Sequence, residues 1–155
     1  MQVRFQAKPG ELMYHGHPVY RREDWGFDFE PSQVGGDMGV LVRDVEVLFD
    51  SALRCASQVS GFCPHMSWIR KSLSIPASFT GSLLLLDETI DTPDIVRIDG
   101  SSDWNVSYDP GTGWVCIGFE TEDQEDVAVE FATDTIVVLH PPYLKAVWLK
   151  PILFM

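Results

Sequence analysis

The chain has 155 residues, 45% of them apolar, and a formal net charge of −12. That length predicts one domain spanning 1–155, and nine Phe, five Trp and four Tyr supply enough core material to exclude intrinsic disorder. So negative a chain is repelled by phosphate backbones and anionic lipid, which excludes nucleic acid and membrane as partners.

Residues 2–6 alternate polar and apolar, the pattern of a short half-buried strand, and Pro9-Gly10 breaks it. Residues 18–22 suit a second strand. Gly26, Pro31, Gly35, Gly36 and Gly39 predict a long loop over 23–39, although Trp25, Phe27 and Phe29 alternate there with Asp28 and Glu30. Residues 40–60 support two readings. Leu41, Val45, Leu48, Phe49, Ala52 and Ala56 fall at helical spacing, with Gly61 and Pro64 as terminators. Val40, Val42, Val45 and Val47 are β-branched, and Asp50-Ser51 suits a hairpin turn. The second pattern is preferred: two strands, roughly 40–49 and 53–60.

Strand signals then recur at 82–86 and 95–98. The hairpin 105–119 turns on Asp109-Pro110-Gly111-Thr112-Gly113. Residues 127–131 alternate, 136–139 are strand-like, and His140-Pro141-Pro142-Tyr143 turns the chain into 144–149. Turn chemistry between closely spaced strands predicts a mainly β, or β-dominated α+β, fold. The expected form is an antiparallel sheet or half-barrel with at most one or two helices. No βαβ alternation occurs, so no parallel sheet is expected.

The apolar run 83–86 is far below the ~20 residues that span a bilayer. No basic stretch precedes an apolar run at the N-terminus, and the expectation is a soluble cytoplasmic protein. Cys55, Cys63 and Cys116 are too few for a disulfide framework and predict reduced thiols. A Cys55–Cys63 bond across a hairpin is the alternative.

The charge is concentrated. From 87 to 134 there are fourteen acids and one base, Arg97, whereas 1–80 holds nine acids and eight bases. The dense parts are Asp87, Glu88, Asp91 and Asp94, and Glu120, Glu122, Asp123, Glu125 and Asp126. Both flank predicted strands, so both are expected in solvent-facing loops. They suit a cationic partner, or simply a solvated face. A calcium site is a third reading, but no stretch has EF-hand spacing, and 99–105 has the wrong ligand order.

Other chemistry is thin. His15, His17, Cys63 and His65 offer four N and S ligands, in a spacing no recognised zinc site uses. Cys63 and His65 are too close in sequence for an aligned nucleophile and base. There is no G-x-S-x-G, Walker, dinucleotide or H-E-x-x-H pattern. Paired carboxylates for glycoside hydrolysis are not specific among so many acids. No enzyme activity and no cofactor are assigned. Most aromatics lie in strand patterns and suit a core. Trp25 and Tyr143 lie in loops and are candidate interface anchors.

An acidic β-rich chain without a catalytic motif, carrying W-N-V-S-Y-D-P-G-T-G-W-V-C-I-G-F at 104–119 and Y-L-K-A-V-W-L-K-P-I at 143–152, resembles the small immunity proteins that bacteria make against their own toxins, including contact-dependent-inhibition systems. The resemblance is one of type. It implies an acidic inhibitor that neutralises a basic toxin domain, expected to be a nuclease, by setting carboxylates where phosphates bind. The expected contacts are Asp87, Glu88, Asp91, Asp94, Glu122, Asp123, Glu125 and Asp126, with Trp25 and Tyr143 as anchors. The rival readings are a small metal-binding enzyme on the His/Cys set, and a structural or scaffold domain whose acidity aids solubility.

Overall fold

Fifteen strands follow one another along the chain: β1 Phe5–Pro9, β2 His17–Arg21, β3 Gly26–Glu30, β4 Met38–Val42, β5 Val45–Asp50, β6 Cys55–Phe62, β7 Ile69–Arg70, β8 Phe79–Leu85, β9 Ile95–Arg97, β10 Val106–Tyr108, β11 Val115–Gly118, β12 Val127–Ala132, β13 Thr135–His140, β14 Tyr143–Leu149 and β15 Ile152–Phe154. This computed structural model describes residues 2–33 and 36–154. The helical content among them is two 3₁₀ turns, His65–Ser67 and Ser101–Asp103. The β-dominated expectation therefore holds, and the sheet is an open, curled half-barrel. Among the described residues no helix is long and apolar enough to cross a membrane.

The main path runs β15-β2-β3-β6-β8-β12-β13-β14-β11-β10-β7. β1 lies along β8, while β5, β4 and β9 extend from β6. β6 is the branch strand: it pairs with β5 along its length, with β3 at one end and with β8 through Cys55.

Several expectations need correction. Residues 40–60 form neither a helix nor two strands. They are the end of β4, then β5 and most of β6, because the chain also turns at Arg43-Asp44. Arg43 adopts φ 57° without being glycine. Its guanidinium donates to the Trp104 carbonyl at 2.6 Å and its amide to Ser101 Oγ, so tertiary contacts hold a turn that carries no local signal. The predicted 23–39 loop contains β3, with Phe27 and Phe29 buried and Asp28 exposed. Gly35 lies outside the described residues. The first strand sits at 5–9 rather than 2–6, since its register is set by β8, from Phe5 opposite Leu85 to Pro9 opposite Gly81.

Parallel pairing occurs after all, in β4–β9, β7–β10, β8–β12 and β2–β15. These are joined by long excursions through other strands and loops, so the absence of helical crossovers did not exclude them. Cys55 and Cys63 do not face across a hairpin. Cys55 opens β6 and Cys63 follows its last residue, and all three cysteines are free and buried.

One buried cluster holds the main core, including Phe5, Phe29, Phe49, Leu83, Phe131 and Val147. A second cluster of Trp114, Cys116, Ile136, Val138, Ala146 and Trp148 packs against Leu73 of the 71–78 segment. Strands β11, β13 and β14 thus bury both faces, which is why they read as near-continuous apolar runs. The two ends of the sheet meet at Trp68. Its ring lies 4.7 Å from Tyr20, 5.5 Å from Tyr108 and 5.7 Å from Phe27.

Candidate functional site

The two acidic stretches become two loops. The first, 86–94, joins β8 to β9, and the second, 119–126, joins β11 to β12. Each contains a D-x-x-D turn of the same construction. The Asp91 amide donates to Asp94 Oδ2 at 3.0 Å, and the Asp94 amide donates back to the Asp91 carbonyl. The Asp123 amide donates to Asp126 Oδ2 at 2.9 Å, and the Asp126 amide returns to the Asp123 carbonyl. Aspartate suits both turns because its short carboxylate reaches local amides.

Two further acids have internal counter-ions. Asp87, its side chain only 12% exposed, accepts from the Arg4 amide at 2.6 Å and from the Arg4 guanidinium at 2.8 and 3.1 Å. Burial pushes this carboxyl up, but the Arg4 bonds outweigh it and hold the group below the usual carboxylate range. Asp126 is 6% exposed and bonds the Lys145 ammonium, itself 11% exposed, while His140 Nδ1 lies 3.0 Å from the other oxygen. Here too burial raises the carboxyl, and Lys145, the Asp123 amide and His140 together bring it below its ordinary value. Burial likewise opposes the Lys145 charge, but Asp126 and Asp123 prevail and raise its pKa.

The loops approach one another through the N-terminal strand and the prolyl turn. Asp87 is tied to Arg4, the next amide, Phe5, donates to the Pro142 carbonyl at 2.7 Å, and His140 on that same turn contacts Asp126. A cavity of about 210 Å³ at the prolyl turn has a mainly apolar lining that includes Ala7, Leu86, Val127, Leu139, Pro141 and Pro142, and a separate one of about 280 Å³ is lined by Glu122, Asp123 and Asp126 with Ala128 and Val138. Leu86 immediately precedes Asp87, and Val127 immediately follows Asp126.

The eight expected contact acids therefore separate into two kinds. Asp87, Asp91, Asp94, Asp123 and Asp126 each have a partner inside the molecule. Glu88 and Glu122 are exposed and, among the described residues, have none, and Glu125 has only a 3.9 Å approach to His140 Nε2. Glu120, which completes the second stretch, is bridged to Lys71 at 2.5 Å. Tyr143, 42% exposed, follows Pro142 and lines a neighbouring cavity of about 150 Å³ with Trp104 and Asp99. Trp25, 43% exposed, is on the β2–β3 turn against Phe62, towards the β15 end of the sheet rather than beside these loops.

The metal alternative finds no support in this geometry. His15, His17, Cys63 and His65 are not brought together. Cys63 Sγ accepts from Trp68 Nε1 at 3.3 Å, and burial raises its thiol pKa, the opposite of an activated nucleophile. His65 Nδ1 lies 3.4 Å from the Tyr20 hydroxyl. Among the described residues the close ligand group is Asp123, Asp126 and His140, and there the Lys145 ammonium already supplies the cation.

Three features were missed from sequence: Arg4 and Lys145 as internal counter-ions, and the apolar cavity. The signals available were the repeated D-x-x-D spacing and a lone lysine inside Y-L-K-A-V-W-L. No family model matches this chain, and no curated protein matches it in sequence.

Proposed function

We propose that this chain is an acidic immunity-type inhibitor that binds and neutralises a basic toxin domain, a nuclease by preference. The observation that carries the reading is that both acidic loops present exposed glutamates to solvent, with Glu88 and Glu122 unpaired among the described residues and Glu125 nearly so. Arg4 and Lys145 neutralise Asp87 and Asp126, whereas an amide donor leaves Asp94 its charge, so the exposed glutamates steer together with Asp94. Complementary fields raise association rates towards about 10⁸–10⁹ M⁻¹s⁻¹ at low salt, and buried apolar contacts then slow dissociation.

The test begins with the reading frame next to the gene for this chain: the reading requires it to encode a basic C-terminal domain, which is then expressed and mixed with this protein. The expected result is a stoichiometric complex with toxin activity blocked and an association rate that falls steeply with salt. Replacing Glu88, Glu122 and Glu125 together by Lys should slow association roughly tenfold or more at low salt and leave the melting temperature unchanged. Full protection of cells by that triple variant at the wild-type dose would sink the acidic-capture model.

A further inference from the structure

We propose that the seam where the two ends of the sheet meet is a binding site for a small carboxylate. A cavity of about 70 Å³ there is lined by Tyr20 of β2, His65 and Trp68, Arg70 of β7, Tyr108 of β10 and Leu153 of β15. It shares no lining residue with the cavities at the acidic loops, so it stands or falls apart from the capture of a basic partner.

The lining inverts the charge of the rest of the molecule. In a chain with 23 acids and 11 bases, it holds an arginine, a histidine and no acid. Arg4, Arg21, Arg54, Lys71, Arg97 and Lys145 each have a carboxylate partner. Arg70 has none among the described residues, and its guanidinium carbon stands 5.8 Å from the centre of the Tyr108 ring. A guanidinium laid over an aromatic face keeps its N–H donors for a planar, two-point contact with a carboxylate. His65 is oriented by Tyr20: its amide donates to the Tyr20 hydroxyl at 2.9 Å, and its Nδ1 lies 3.4 Å from the same oxygen. That hydroxyl donates onward to the Cys63 carbonyl at 2.8 Å, and Trp68 Nε1 donates to Cys63 Sγ. The polar groups of the lining without an internal partner, among the described residues, are therefore the Arg70 guanidinium, His65 Nε2 and the Tyr108 hydroxyl. All three can donate to an anion.

Volume sets the class of acid. An apolar cavity of about 150 Å³ takes a benzene ring, so this smaller one takes an acid of about two to four carbons, with Trp68 and Leu153 as apolar walls for its stem. The net charge of −12 opposes anions at long range, but salt screens it beyond about 8 Å at physiological ionic strength, so the groups in the lining decide.

The probe is propionate, with the isosteric neutral propionamide as its control, titrated at constant ionic strength into isotopically labelled protein. Propionate should move the Trp68 indole N–H and the Arg70 side-chain N–H along a saturating curve, and propionamide should not. Arg70→Gln, at an exposed position, should leave the melting temperature unchanged and weaken propionate binding roughly tenfold or more. Arg70→Lys keeps the charge without the fork and should weaken it less. N-acetyl-Ala-Ala with a free carboxylate separates two sources of the same chemistry: tighter binding than propionate assigns the site to a peptide C-terminus, and weaker binding assigns it to a free acid. Shifts that never saturate, equal shifts with propionamide, or undiminished binding in Arg70→Gln would overturn the site while leaving capture of a basic partner untouched.

Discussion

Aspartate and glutamate divide the labour in the acidic stretches, and side-chain length is the reason. A short Asp carboxylate reaches local amides, so Asp94 and Asp126 each accept from the amide three residues before them and close the two turns. The longer glutamates at 88, 122 and 125 project outward. The pair Asp126–Lys145 lends itself to a pH test. The Asp126 pKa is depressed in the fold, so its stabilisation is complete above the unfolded value near ~4 and is lost as pH falls through the folded value. The Lys145 pKa is raised, so its share is complete below about 10.4 and is lost only as pH rises through the folded value. Lys145→Met should cost about 2–3 kcal/mol at neutral pH, because it leaves Asp126 buried without its cation. Thermal melts should show that deficit shrinking below about pH 4 as Asp126 is protonated. A deficit independent of pH would mean that packing of the lysine stem, not the ion pair, is what matters.

At the level of elements, β6 carries an unusual demand at Gly61. This residue pairs with Phe27 of β3 and with Val45 of β5. Its φ is +138°, and a β-carbon there would lie 2.6 Å from the Asp44 carbonyl. Gly61→Ala is therefore expected to destabilise by roughly 2–4 kcal/mol, measured by denaturant unfolding, through strain at the branch point. Wild-type stability would show that the β3 and β5 pairings can part without cost. The same elements explain which turns were legible. Asp50-Ser51 and the Pro-Gly turn after Tyr108 announce themselves by composition. The turns at Trp25, Arg43 and Asp134 place ordinary residues at positive φ, held by contacts such as Arg43 to Trp104 and the Cys63 amide to the Trp25 carbonyl. No local pattern predicts those contacts, so β3 was absorbed into a loop and β4 and β5 into one strand.

Over the whole molecule, the half-barrel depends on how its two ends meet. Trp68 occupies that junction, touching Tyr20 and Phe27 from one end and Tyr108 from the other. Trp68→Ala should cost about 3–5 kcal/mol and lower the melting temperature by many degrees. A loss below about 1 kcal/mol would show that the two ends are held together elsewhere. Glu88 and Glu122 have no ion pair among the described residues and Glu125 only a 3.9 Å approach to His140, so the charge-reversal variants should unfold like the wild type.

The periodicity, turn chemistry and amino-acid content of the chain determined by themselves that the fold is β-dominated, that its C-terminal hairpins fall where they do, and that negative charge gathers in loops between strands. Those properties are local: a period of two, a Pro-Gly turn or a run of carboxylates is complete within a few residues. Tertiary structure alone decided which carboxylates are spent inside the molecule, because Arg4 meets Asp87 and Lys145 meets Asp126 only after β1 has paired with β8 and β14 has come within reach of the loop before β12. It also decided that Leu86 and Val127 line one apolar cavity, since its walls come from four segments that are distant in sequence.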